Sequence, residues 1–250
     1  MLLFSGEMRR QLFSVAGRAG TETVVHQEVN IASRGLRGLL GEELWRSLID
    51  SGLERRHKAG DVLLRQGAPG DHLLVLKHGR VKILASEPDG AELLLSLRSS
   101  GDLVGEMSPR DDRRRTATVQ ALDRCSTSLL TRVAFEEFLE RHGVHSAFSD
   151  YLVAKLSETV PYQLQQAHFA ARQRVARLIY EVLMLADPDD SDRARVPFSQ
   201  DALAKALGLS RSTVADQIAT LRAAGALGSG PRIVVRDERV LSVEARLIAR

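Results

Sequence analysis

Ala202-Leu203-Ala204-Lys205-Ala206-Leu207-Gly208-Leu209-Ser210-Arg211-Ser212-Thr213-Val214-Ala215-Asp216-Gln217-Ile218 decides how this chain is read. Ala202, Leu203, Ala206 and Leu207 form an apolar stripe at helical spacing, and Gly208 suits the left-handed residue that ends a helix. Ser210 is a good N-cap for a second helix, which Val214, Ile218 and Leu221 would turn onto the first. The remaining face of that second helix carries Arg211, Ser212, Thr213, Asp216 and Gln217. Two neighbouring helices of a plain bundle would show the same periodicity. The tight glycine turn and the hydroxyl-rich face opening on Arg211 favour instead a helix-turn-helix, whose second helix enters the DNA major groove.

Downstream, Gly228-Ser229-Gly230-Pro231 reads as a turn and Arg232-Ile233-Val234-Val235-Arg236 as a β-branched strand. Together they predict a wing, with Ser229 and Arg232 near its tip, placed to touch phosphate rather than to read bases. Across 198–236 the charges are Lys205, Arg211, Arg222, Arg232 and Arg236 against Asp201 and Asp216, so this region is locally basic. The chain as a whole carries only +3 over 250 residues, too little to argue for nucleic acid by itself.

A content of 44% hydrophobic and 27% charged residues is ordinary for a globular cytoplasmic protein, and 250 residues suffice for two modest domains. No run approaches the roughly 20 apolar residues of a membrane helix, and the N-terminus lacks the apolar core of a secretion signal. Cys125 stands alone. It excludes an intrachain disulfide, cannot supply the ligands of an iron–sulfur cluster, and reads as a small buried strand residue.

From 53 to 133 the texture changes. Short runs of Val, Leu and Ile are punctuated by glycines at 60, 67, 70, 79, 90, 101 and 105. Strands are predicted at 62–64, 73–77, 81–84, 92–95, 116–119 and 126–130, with a turn at 87–90, which together make an antiparallel sandwich or roll. After it, 135–142 reads as a short helix. From about 147 apolar residues recur every three or four positions: Leu152, Val153, Leu156, Val160, Leu164, Ala167, Ala171, Val175, Leu178, Ile179 and Val182. A single long helix with that stripe needs a partner along its length, and pairing with a second copy is the expected answer.

The segments Ala59-Gly60-Asp61-Val62-Leu63-Leu64-Arg65-Gln66-Gly67, Gly70-Asp71-His72-Leu73-Leu74-Val75-Leu76, Gly79-Arg80-Val81-Lys82-Ile83, Gly101-Asp102-Leu103-Val104-Gly105-Glu106 and Arg115-Thr116-Ala117-Thr118-Val119 resemble the cyclic-nucleotide-binding β-roll of the CRP/FNR transcription regulators. The likeness runs from about 32 to 235. It implies an α+β protein: an N-terminal extension (1–31), a sensor β-roll of double-stranded jelly-roll form (32–145), a long dimerisation helix (146–186) and a C-terminal winged helix-turn-helix (187–250). It further implies a homodimer on a palindromic double-stranded DNA operator, with RNA polymerase as a candidate partner and cAMP or cGMP as effector. No membrane partner and no obligatory cofactor are implied.

By resemblance, Arg115 takes the charge of a cyclic phosphodiester, Thr116 adds a hydroxyl, Gly105 lets backbone approach the ligand and Glu106 accepts from a ribose hydroxyl. The chemistry is sound, since a guanidinium clamps a phosphate through charge-assisted hydrogen bonds. The alternative is a structural Glu106–Arg115 ion pair inside a sensor that no longer binds ligand. In the basic triplet 113–115, the register of 116–119 selects Arg115 as the inward residue. Resemblance also places Thr159 at the base, although Val160 replaces the hydroxyl neighbour usual there and Pro161 predicts a kink; Thr159 could instead cap a helix restarting at Pro161. Arg211, Ser212 and Asp216 fall at the base-reading positions.

His72 and His78 read as solvated histidines, and the acidic run 187–192 as a solvated linker. No nucleophile elbow, P-loop or metal-hydrolase motif is present, which points away from an enzyme. The remaining alternatives are a ligand-independent DNA-binding regulator with a degenerate sensor, or a non-transcriptional nucleotide sensor.

Overall fold

A computed structural model describes residues 35–86, 92–107, 114–158 and 169–247. Among the described residues, eight antiparallel strands form two four-stranded sheets. One has the order β1 (Leu53–His57), β8 (Cys125–Thr131), β3 (His72–His78), β6 (Leu103–Val104), and the other β2 (Val62–Leu64), β7 (Thr118–Ala121), β4 (Val81–Ser86), β5 (Glu92–Arg98). Leu64, Leu74, Leu76, Val81, Val104, Val119, Ala121 and Cys125 fill the space between the sheets. Alternation of inward and outward side chains along each strand puts them there. Cys125 is buried, and burial pushes its thiol up to about 12.

Helices close the roll. α1 (Gly35–Asp50) contributes Leu36, Leu40, Trp45 and Leu48 to a second core with Phe135, Phe138 and Leu139 of α2 (Arg132–His142) and Tyr151 of α3 (His145–Ser157). α2 is capped at both ends: the Thr131 hydroxyl accepts from the Ala134 N–H, and Gly143 takes the left-handed conformation.

The single long helix expected over 146–186 is not what forms. α3 ends at Ser157, and at Ala170 the backbone is extended (φ −60°, ψ 150°) before α4 begins, spanning Ala171–Met184. The Gln173 carboxamide oxygen accepts from the Ala170 N–H at 3.3 Å and fixes that start. Val175, Leu178, Ile179 and Val182, expected in a seam between two copies, instead lie in the core of the C-terminal unit with Leu203, Leu207, Val214, Ile218 and Leu221. A stripe at intervals of three and four identifies a buried face but not what covers it. Val160, Pro161 and Leu164 lie outside the described residues, as does the N-terminal extension.

The C-terminal unit comprises α4, α5 (Gln200–Leu207), α6 (Arg211–Ala223) and a further helix not foreseen from sequence, α7 (Glu238–Glu244). Arg172 pairs with Glu244, and Arg177 donates to the Ala245 carbonyl at 2.8 Å, fastening α7 onto α4. The unit shares its core with Leu84, Leu94, Leu97 and Leu122 of the roll. At that seam Arg80, 4% exposed, binds both Asp123 oxygens (2.6 and 3.1 Å) and donates to the Val182 carbonyl at 2.7 Å.

Candidate functional site

The first candidate region is an open-mouthed cavity in the roll, with Leu64, Ile83 and Val119 as its apolar wall. Gly105, Glu106, Arg115 and Thr116 line it together. Gly105 has φ +93°, and a Cβ there would come within 2.6 Å of Arg115 Nη1 and 2.9 Å of Leu64 Cδ1. Glycine is required for both reasons.

Arg115 points inward, 4% exposed, whereas Arg114 is exposed and donates to the Gly67 carbonyl. The strand that was to fix this register begins at Thr118, two residues later than expected, because Thr116 and Ala117 bend past the cavity mouth. Backbone pairing fixes the orientation of Arg115 instead, its N–H donating to the Ala68 carbonyl and its carbonyl accepting from the Gly67 N–H, each at 2.9 Å. Its Nη2 donates to the His72 carbonyl at 2.8 Å, while its buried Nη1 has no hydrogen-bond partner among the described residues. Such an orphaned guanidinium N–H costs free energy unless an acceptor arrives. Burial and the nearby Arg132 both weaken its hold on its proton.

Glu106 lies half-buried beside it. Burial raises its carboxyl to about 6, with Arg98 opposing the shift and Asp102 adding to it. No ion pair joins Glu106 to Arg115 among the described residues, so the geometry gives no support to a structural pair. Thr159 lies outside the described residues.

Sequence reasoning missed Arg98. It is 2% exposed, lines the same cavity beside Ser96, and donates to the Leu97 carbonyl (3.0 Å) and to Glu158 (3.2 Å) at the end of α3. Its buried Nε has no hydrogen-bond partner among the described residues. The only signal was an arginine closing an otherwise apolar strand. Lys155, also buried, bridges Glu158 and Asp102, each at 2.9 Å, so α3 is tied to the cavity wall by a charged cluster.

The second region is the surface of the helix-turn-helix. Gly208 is left-handed (φ 59°), and the Ser210 hydroxyl accepts from the Thr213 N–H at 3.0 Å as the N-cap of α6. Ser210, Arg211, Ser212 and Asp216 are exposed, and Thr213 and Gln217 half-buried, while Val214, Ile218 and Leu221 face the core. Arg211 Nε lies 3.1 Å from Asp201 of α5. The wing is shorter than expected: the predicted strand at 232–236 reduces to bridges from Val234 to Arg195 and from Val235 to Leu227. Arg222, read from sequence only as one of the local charges, donates to the Gly228 and Gly230 carbonyls and pins the turn that exposes Ser229 and Arg232.

His72 is half-buried and bonded to Asp71 at 2.7 Å, so it is less solvated than expected. Among the described residues no group of three or more His, Cys, Asp or Glu could hold a metal ion, and no helix is long and apolar enough to cross a membrane.

A cyclic-nucleotide-type roll followed by a helix-turn-helix defines a class of ligand-sensing DNA-binding proteins. Residues 54–142 match the cyclic nucleotide-binding domain family and residues 173–243 the Crp-like helix-turn-helix domain. A CRP-like cAMP-activated global transcriptional regulator of Mycobacterium tuberculosis is 25% identical over 191 residues, covering 75% of this chain and 85% of the relative. The cyclic AMP receptor protein of Thermus thermophilus is 28% identical over 207 residues, covering 82% and 93%. A solved CRP-family transcriptional regulator, also from Thermus thermophilus, superposes with a TM-score of 0.65 at 22% identity, over 77% of this chain and 96% of that one. The chain belongs to the CRP/FNR family of transcription regulators.

Proposed function

We propose that this regulator is a homodimer that binds a two-fold symmetric DNA site under the control of a cyclic nucleotide held in the roll. The observation that carries the effector reading is Arg115: a buried guanidinium, oriented by the His72 carbonyl, with Nη1 unpaired beside a glycine that leaves room for a ligand. A cyclic phosphodiester supplies the missing acceptor and one negative charge. Glu106 accepts from the ribose, Thr116 contributes its hydroxyl at the mouth, and Thr159 meets the base. The names of the two curated relatives, one cAMP-activated and one a cAMP receptor, point the same way.

Arg211, Ser212 and Asp216 read bases, with Ser210, Thr213 and Gln217 beside them, and Ser229 and Arg232 position the protein on phosphate. Dimerisation uses the outward face of α3, where Val153 is 64% and Leu156 55% exposed. Calorimetry of the full chain with cAMP and cGMP tests the effector reading. Binding that is lost in Arg115→Ala, with the fold retained by circular dichroism, supports it. No heat with either nucleotide, together with tight operator binding by the unliganded chain, would establish the ligand-independent alternative.

A further inference from the structure

We infer that Arg222 is the positioning residue of the wing: from the last turn of the recognition helix it holds the backbone from which Arg232 reaches phosphate. It thereby sets the register between base contacts and phosphate contacts on DNA. The inference rests on the reading of Ser229 and Arg232 as phosphate contacts given above. Arg222 stands in the final turn of α6, roughly 16 Å along the helix axis from Arg211. One rigid element therefore carries the base readers at its first turn and the anchor of the wing at its last.

The wing has little else to hold it. Its backbone pairing stops where the Gly228 N–H donates to the Val234 carbonyl at 2.9 Å, and among the described residues 229–232 make no backbone–backbone hydrogen bond. Pro231 has no N–H to give, and Gly230 turns the chain at φ +115°, a conformation that favours glycine. Arg222 answers the carbonyls instead. Its Nε donates to Gly228 at 3.0 Å, and its Nη2 donates to Gly230 and, at 3.4 Å, to Arg232 itself. Three carbonyls gathered round one planar guanidinium is an arrangement that the compact ammonium of a lysine does not reproduce. On the far side of Arg232, Ile233 is buried in the core. The Arg232 side chain is thus left exposed between two fixed points of backbone.

The inference is tested by gel-shift titration of the full chain at a series of salt concentrations, on a duplex selected from random sequence. Arg232→Ala removes one phosphate contact, so its affinity should fall less steeply with salt by about one unit of log–log slope, about fourfold less loss between roughly 50 and 200 mM. Arg222→Lys keeps its charge and should show the same reduced slope. Its circular dichroism and its preference for the selected duplex over a single-base variant should match wild type, and Arg222→Lys with Arg232→Ala should be no worse than either alone. Gly230→Ala disturbs the same turn from the other side without changing a charge. It should repeat the result, and it decides the matter if Arg222→Lys does not fold. A wild-type slope in both Arg222→Lys and Gly230→Ala, or losses that add in the double variant, would overturn the positioning role while Arg232→Ala still marks a phosphate contact. An unchanged slope in Arg232→Ala would overturn the phosphate reading of the wing, and this inference with it.

Discussion

Glu106 and Arg115 are held in a state that costs the protein stability and that the proposed ligand would relieve. Glu106 has its carboxyl raised from 4.5 to about 6 by burial, so the folded chain favours its neutral form. That contribution to stability is complete below about pH 4.5 and is lost as pH rises through about 6, leaving a charged carboxylate that costs about 2 kcal/mol at pH 7.5. Glu106→Gln should therefore raise the thermal midpoint at pH 7.5, with the gain vanishing at pH 4.5, while nucleotide affinity falls. Melting curves at the two pH values check the sign, and an unchanged midpoint at pH 7.5 would contradict the burial argument. Arg115→Ala removes an orphaned buried donor and should abolish nucleotide binding with little loss of stability. On the DNA side, Arg211→Ala should weaken specific binding by about 1–3 kcal/mol if the contact is bidentate to guanine. The loss has a competing term, because Arg211 is paired with Asp201 and must leave it to reach a base. Asp201→Asn should accordingly tighten DNA binding slightly, read by the same gel-shift titration. At this scale sequence placed Gly105, Glu106 and Arg115 in one cavity, but Arg98 escaped notice. A strand pattern says which residues alternate, and it does not say that an arginine in an apolar strand turns inward until the opposite wall is known.

Among the elements, the helices of the reading head were legible because their ends are chemically marked: Gly208 and Ser210 adopt the capping conformations that their residue types favour. Strands β2, β3, β4 and β8 fall where alternation and glycine punctuation put them. β1 did not, because Glu54-Arg55-Arg56 offers no apolar face and the strand is held by pairing with β8 alone. β6 has two residues, too few for any period. The dimerisation helix was overextended because α3 and α4 both carry apolar stripes and nothing in a periodicity separates a face buried by its own domain from one buried by a second copy. Among the described residues of the expected helix, the exposed face of α3 carries Val153 and is the part proposed for association. Val153→Glu should place a charge in the proposed seam and split the dimer. Sedimentation of wild type and variant at micromolar concentration reads this directly. A monomeric wild type would remove the basis for the claim.

For the molecule as a whole, the consequence lies in how the reading head is attached. It shares an apolar core with the outer face of the sheet that carries Arg98, and Arg80 bridges Asp123 of the roll to the Val182 carbonyl of α4. β5 therefore faces the roll cavity with Ser96 and Arg98 and the DNA-binding unit with Leu94 and Leu97. A ligand can bias DNA binding only through a difference in affinity between two arrangements, and this shared strand and the Arg98–Glu158 tie to α3 are where such a difference would be felt. Arg80→Ala leaves Asp123 and a buried carbonyl without their donor and should destabilise the chain by about 2–3 kcal/mol while weakening the nucleotide response. The central claim, a cyclic nucleotide in the roll setting the affinity of the helix-turn-helix for DNA, is tested most directly on a site selected from random duplexes. Fluorescence anisotropy would follow that duplex with wild type and Arg115→Ala, each with and without cGMP and cAMP. The account predicts sequence-specific binding by both proteins and a nucleotide-dependent change of about tenfold or more in wild type alone. Identical affinities with and without nucleotide in wild type would contradict it.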